Sequence, residues 1–175
     1  LNIFLTEPEN RHTNPVKFYD STGKLLYEQP EQNSTMKYAA RKDSLGLGYY
    51  SGGKLKNGPM DFSKKNRLGL EDLHKIVMSI VFPEKVKAGE RFKITEEDRR
   101  FVLQYMSQYP TESLYPPYAA DTANYWPTYC KFLFYGAEQT KPDENIRIFN
   151  KPGDAYGHMI DAAYLVDYKN KIEFF

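Results

Sequence analysis

The run from Ile146 to Phe175 constrains the fold most. Ile146-Arg147-Ile148-Phe149-Asn150-Lys151 and Asp161-Ala162-Ala163-Tyr164-Leu165-Val166-Asp167 are rich in the β-branched and aromatic residues that suit strands. Tyr168-Lys169-Asn170-Lys171 is a polar turn into Ile172-Glu173-Phe174-Phe175. Strand runs joined this closely in sequence predict an antiparallel meander over residues 146–175. A sheet of that kind has an apolar face to cover, so the chain must supply helices.

The preceding region, residues 69–136, supplies them. Leu70, Leu73, Ile76, Val77, Ile80 and Val81 recur at helical spacing, with Gly69 at the start, Glu71 and Asp72 at the positive end of the dipole and Pro83 as the stop. Thr95-Glu96-Glu97-Asp98 is a capping-box start for a second helix, whose apolar face is Phe101, Val102, Tyr105 and Met106 and whose end is marked by Pro110. A third helix is predicted from about Pro127 to Tyr135, with Gly136 just past it. Nearer the start, residues 16–29 read as a hairpin around Asp20-Ser21-Thr22-Gly23, while residues 44–59 lack a usable period and read as a long surface loop. The fold class is α+β, an antiparallel sheet with packed helices.

Composition narrows the function classes. Lys+Arg 24 against Asp+Glu 23 leaves a net charge of +1 without a basic cluster, so no nucleic-acid partner is expected. A single cysteine, Cys130, excludes an intramolecular disulfide and a zinc site built on several thiolates; it is expected to be a small core side chain. No apolar run approaches the ~20 residues of a membrane span. His12, His74 and His158 are far apart and lack ligand partners at helical spacing, so neither a metal nor a cofactor is expected. The 175 residues suit one domain, yet Leu1 is not a Met and Phe175 falls inside a predicted strand; both ends are expected to be cuts within a larger domain.

Several short patterns invite over-reading. Gly48 to Lys54 has phosphate-loop spacing, but Leu55 stands where a hydroxyl should hold magnesium. Ser21 and Lys24 have the spacing of an acyl-enzyme pair, yet they belong to the tip of a predicted hairpin. Glu96, Glu97 and Asp98 are best explained by helix capping. Tyr115-Pro116-Pro117-Tyr118 and Tyr125-Trp126-Pro127 could form an aromatic platform that binds a glycan or partner through Tyr118 and Trp126; a Pro-rich connection with its rings packed on the sheet is the simpler reading.

One stretch is more specific. Asn150-Lys151-Pro152-Gly153-Asp154-Ala155-Tyr156-Gly157-His158-Met159-Ile160-Asp161-Ala162-Ala163-Tyr164 resembles the Lys-Thr-Gly strand, turn and following strand of the class A β-lactamases and penicillin-binding proteins. Pro59-Met60-Asp61-Phe62-Ser63 looks like the family's Asp-Thr-Thr-Thr-Pro segment before a helix, and Thr95 to Met106 looks like the helix that precedes the Lys-Thr-Gly strand. With Glu9-Asn10-Arg11-His12-Thr13-Asn14-Pro15, Arg147 to Lys151 and Tyr164-Leu165-Val166-Asp167, the chain resembles the C-terminal part of secreted Bacteroidetes serine hydrolases related to those enzymes.

The resemblance implies a three-layer α/β/α fold of the β-lactamase/transpeptidase type, incomplete at its N-terminus and at its C-terminus. It implies acyl-enzyme chemistry on a β-lactam or a peptidoglycan-like peptide, in the periplasm, the cell envelope or outside the cell. Lys151 and Gly153 take the substrate-binding role, with Tyr156, Gly157 and Asp161 as structural residues near the site. No catalytic residue is assigned in this chain: the Ser-x-x-Lys helix and the Ser-Asp-Asn loop are expected upstream, and Glu7 and Glu9 match the deacylating Glu by position only. The chain departs from the pattern at Pro152, which supplies neither hydroxyl nor backbone N–H. That departure favours the alternative of a noncatalytic cell-envelope binding protein with the same fold. An incomplete sheet also predicts self-association through an exposed edge.

Overall fold

The computed structural model describes residues 9–35, 40–65 and 67–175. The chain divides into two compact units that meet between Leu68 and Gly69. Helices and small antiparallel sheets together make it an α+β protein.

The first unit is built of short strands. After a 3-10 turn at Glu9–Arg11 come β1 (His12–Thr13), β2 (Val16–Tyr19), β3 (Leu25–Gln29), β4 (Gln32–Asn33), β5 (Ser44–Leu45), β6 (Gly48–Ser51), β7 (Lys54–Asn57) and β8 (Met60–Asp61). They pair antiparallel as β1 with β4, β2 with β3, β5 with β8 and β6 with β7. The predicted hairpin over residues 16–29 is β2 and β3. The Asp20 carboxylate ties its turn by accepting from the Thr22 N–H at 2.8 Å, the Thr22 hydroxyl at 2.7 Å and the Lys24 N–H at 3.0 Å. Lys17 lies opposite Glu28, 3.4 Å away. Ser21 and Lys24 thus belong to the connection between β2 and β3, as their sequence context indicates.

Residues 44–59 are not a loop. They hold β5, β6 and β7, and β6 turns into β7 through Gly52 and Gly53 at φ +57° and +73°. A pair of residues with positive φ matches the right-handed twist of the flanking strands, and Gly-Gly reaches that geometry without steric cost. Gly48 matters differently: a Cβ there would stand 3.0 Å from the Lys56 carbonyl oxygen. The phosphate-loop spacing is therefore a hairpin. Among the described residues of this unit, Phe62, at 4% exposure, is the buried apolar side chain. Two-stranded hairpins are marginal without more cover than that.

The second unit contains α1 (Leu70–Val81), α2 (Glu96–Ser107), α3 (Phe132–Tyr135), β9 (Ile146–Ala155), β10 (His158–Asp167) and β11 (Ile172–Phe174). The strands form one antiparallel sheet in the order β11-β10-β9. Both long helices start and stop where local chemistry predicts. At α2 the Thr95 hydroxyl accepts from the Asp98 N–H at 3.1 Å while the Asp98 carboxylate accepts from the Thr95 N–H at 2.9 Å. Each of these bonds satisfies a donor the helix start would otherwise leave open.

Strand alternation divides the core of this unit between the two faces of its sheet. Ala162 and Tyr164 pack with Val77 of α1, joined by Leu73, Phe82, Met106 and Phe149. Ala163 and Leu165 point the other way and pack with Ile146, Ile148, Tyr109 and Tyr135. Ile148 and Leu165, directly opposite in register, are 0% and 2% exposed.

Two predicted boundaries move. The third helix covers only Phe132–Tyr135; residues 127–130 are turns, and Cys130 at φ +66° breaks the helical path. Cys130 is half-buried, where a core side chain is expected. The strand expected to end at Lys151 continues through Pro152 and Gly153 to Ala155. Tyr156 and Gly157, at φ +50° and +80°, then close a two-residue hairpin onto His158.

Candidate functional site

β9 is an outer strand of its sheet among the described residues, so one row of its backbone groups has no strand partner. Which row is decided by the neighbouring hydrogen bonds. The Tyr168 N–H donates to the Asn145 carbonyl at 2.9 Å, just before the strand, so odd-numbered residues face β10. The even-numbered carbonyls face outward. That of Ile146 accepts from the Tyr109 hydroxyl at 3.1 Å, and that of Ile148 accepts from the Lys131 ammonium at 2.9 Å.

This alternation explains Pro152. It lies opposite Asp161, and its missing N–H falls on the free edge, so the ladder to β10 loses no bond and the strand runs on. Past Pro152 the next outward-facing backbone is that of Asp154. Lys151 is exposed, and its ammonium donates to the Pro152 carbonyl at 2.8 Å. Gly153 lies opposite Ile160, and a Cβ placed on it would meet nothing within 4 Å. Lys151 therefore presents a cation, and Gly153 an unshielded Cα whose own N–H and C=O face β10, in the middle of a hairpin arm and not at a strand end.

Asp161 is structural. Its carboxylate accepts from the Leu133 N–H at 2.9 Å and from the Asn150 amide at 2.8 Å, tying the start of α3 to β9. Tyr156 and Gly157 form the hairpin turn beyond the site. Glu9 lies in the first 3-10 turn, and Glu7 lies outside the described residues.

The residue that sequence reasoning missed is Lys131. At 3% exposure it is buried, yet its ammonium is fully bonded, donating to the Met106 carbonyl at 2.8 Å, the Ile148 carbonyl at 2.9 Å and the Asn150 side-chain oxygen at 2.8 Å. Asn150 passes the connection on, its amide donating to the Cys130 carbonyl at 2.7 Å and to Asp161. Burial pushes the Lys131 pKa down to about 8, against the opposing pull of Asp161. The ammonium also stands 5.5 Å from the centre of the Tyr109 ring. The signal was a lone charge in Tyr129-Cys130-Lys131-Phe132-Leu133-Phe134-Tyr135, where every neighbour is aromatic or apolar.

No family model, curated protein or solved structure matches this chain.

Beside Pro152 and Asn150 opens a cavity of about 240 Å³ walled by Tyr105, Tyr109, Tyr118, Tyr125 and Tyr129. The Tyr118 and Tyr125 rings are 4.6 Å apart, Tyr125 and Tyr129 5.7 Å, and Trp126 and Tyr129 4.7 Å. The Pro-rich connection thus folds its rings against one another beside the end of β9. Tyr115 stays apart from them, 90% exposed.

Two further groups hold the wall in place. The Arg147 guanidinium grips the Glu112 carboxylate at 2.8 and 3.0 Å while lying 5.0 Å from the Tyr109 ring centre. Burial alone would raise the Glu112 pKa, but Arg147 and the Tyr109 N–H outweigh it and hold the carboxyl below its ordinary value. Burial pushes the Cys130 thiol up, disfavouring its thiolate form. Among the described residues no group of His, Cys, Asp or Glu is placed to hold a metal ion, and no helix is long and apolar enough to cross a membrane.

Proposed function

We propose that this chain carries the substrate-facing strand of a β-lactamase-like serine hydrolase, with the three-layer fold of the β-lactamases and transpeptidases. Its substrate is a β-lactam or a peptidoglycan-type peptide, met in the cell envelope or outside the cell. The observation that carries the reading is the free edge of β9, where the exposed Lys151 cation, the unshielded Cα of Gly153 and the outward backbone of Asp154 follow one another. An extended ligand can pair with such an edge while its carboxylate meets the ammonium. Pro152 contributes no hydroxyl there, so the carboxylate depends on Lys151.

In this reading the chain orients the substrate and positions its carbonyl, while the acylated serine belongs to a helical Ser-x-x-Lys segment, a role that Ser21 and Lys24 in their hairpin turn do not fill. The second reading, a noncatalytic envelope protein that binds a cell-wall peptide, is favoured by Pro152 alone.

Two measurements test these readings. Titration of the chain with acetyl-D-alanyl-D-alanine, followed by backbone amide shifts, is expected to perturb Asp154 and to weaken about tenfold in Lys151→Ala, the scale of one charge-assisted hydrogen bond. Unchanged affinity in that variant overturns the strand assignment. A fluorescent penicillin is expected to leave these residues unmodified and to acylate a serine in the product of the complete gene; absence of acylation there selects the binding protein.

A further inference from the structure

We infer that the cavity between α1 and the segment of residues 86–92 is a binding site for a small zwitterion, a free α-amino acid with an apolar side chain. It stands apart from β9 and does not depend on the reading of that strand.

The cavity, of about 300 Å³, has two built walls. One is a single face of α1, because Asp72, Lys75, Ile76 and Ser79 recur at three- and four-residue spacing. The other carries Val86, Glu90 and Phe92. Arg91 pins that second wall, its guanidinium donating to the Val86 carbonyl at 2.7 Å and to the Glu84 carbonyl at 3.4 Å.

Ser79 is the anomaly that points to a ligand. It lines the cavity at 4% exposure, and its hydroxyl has no hydrogen-bond partner among the described residues. A serine within a helix commonly bonds a carbonyl of the preceding turn, and a buried hydroxyl left open is costly. The same cavity holds the charged side chains of Asp72, Lys75 and Glu90, and none of them has an ion pair or a side-chain hydrogen bond among the described residues.

The signs of those charges select the ligand. An anion meets two carboxylates, a simple cation meets the Lys75 ammonium, and a neutral molecule uses none of the charges. An α-amino acid carries both signs one carbon apart. Asp72 and Lys75, at i and i+3, stand about one turn apart without pairing to each other. The ligand ammonium therefore goes to Asp72 and Glu90, while its carboxylate accepts from Lys75 and from Ser79, four residues on. Ile76, Val86 and Phe92 are left to cover an apolar side chain. The volume suits one small molecule of this kind.

The experiment titrates the chain with L-leucine, N-acetyl-L-leucine and L-leucine methyl ester and follows backbone amide shifts. Leucine is expected to perturb residues 72–79 and 86–92, and each blocked form is expected to bind about tenfold more weakly, the scale of one charge-assisted hydrogen bond. Ser79→Ala is expected to weaken leucine about fivefold while thermal melts show no loss of stability, since that hydroxyl has no bond to lose. Lys75→Met is expected to bind leucine and its methyl ester equally.

Absence of leucine binding, or shifts confined to other residues, overturns the site. Equal affinity for N-acetyl-L-leucine reduces it to an apolar groove and overturns the amino-acid assignment. Equal or tighter binding of the methyl ester to the unmodified chain marks a cation site and overturns it too. Unchanged leucine affinity in Ser79→Ala overturns the role of the hydroxyl.

Discussion

The Lys131 ammonium donates to the Ile148 carbonyl at 2.9 Å on the outer edge of β9, where a neighbouring strand would place an N–H. With the Tyr109 hydroxyl on Ile146, it closes the first half of that edge by side chains and leaves the half beyond Asn150 open. Position on the strand thus separates a sealed segment from one available to a ligand.

Lys131→Met keeps the apolar stem and removes the donors, leaving Met106, Ile148 and Asn150 oxygens without a partner. Each buried acceptor left open costs about 1–3 kcal/mol, offset in part because the charge no longer has to be desolvated. A net loss of about 2–4 kcal/mol is expected in urea denaturation. A change below about 0.5 kcal/mol would mean that the carbonyls find water and the ammonium does not hold the edge.

Lys131 contributes stability that rises as pH climbs from about 8 toward 10, against Cys130, whose burial-raised thiol holds a proton that the unfolded cysteine loses over the same range. The folded Lys131 releases its proton near 8, whereas the unfolded lysine keeps it to about 10.4, so in that window this group is more protonated in the unfolded chain. The Lys131 share of the slope is at most about 1.4 kcal/mol per pH unit, and Lys131→Met should remove that share and lower the slope relative to the unmodified chain. Above about pH 10 the trend reverses, because Tyr109 and Tyr164, both raised chiefly by burial, hold protons that the unfolded tyrosines lose. Denaturation midpoints measured across this range check both limbs.

Gly157→Ala should destabilise the β9–β10 hairpin. Its φ of +80° is open to glycine and costs a residue with a Cβ about 1–2 kcal/mol. Tyr156 at φ +50° carries a related strain, so Tyr156→Asn should be neutral or stabilising, since asparagine tolerates the left-handed region. Thermal melts of the two variants should therefore move in different directions, or only the first should move.

Arg147 and Glu112 should couple weakly despite their paired hydrogen bonds. Their side chains remain 33% and 43% exposed, and water screens a pair of that kind to about 0.5–1 kcal/mol. A double-mutant cycle with Arg147→Met and Glu112→Gln measures it. Coupling above about 2 kcal/mol would show that the Tyr109 ring beneath Arg147 shields the pair from solvent.

The elements that follow from neighbouring residues were legible in advance. The apolar spacing from Leu70 to Val81, the Thr95 and Asp98 box and the Asp20 turn each depend on residues within a turn or two, and each lies where its chemistry puts it. The Gly52-Gly53 turn is local chemistry too, but its flanking strands are mostly exposed and carry no apolar alternation to mark them, so the stretch reads as a loop. The strand through Pro152 was hidden for another reason. Whether a proline is tolerated depends on which side of the ladder its nitrogen faces, and that is decided by pairing with Asp161.

Lys131 shows the limit most plainly. Composition and periodicity describe it as one more charge, normally solvated. Its burial requires Met106, Ile148 and Asn150, which are separated from it by 25, 17 and 19 residues, to place three oxygens around one nitrogen. By itself the sequence determined the helices, the turns and the alternation of the strands, because those arise from local sterics and hydrogen bonding. Tertiary structure decided which edge of β9 is closed, which stays open and where the tyrosines gather, because those depend on groups that only the folded chain brings together.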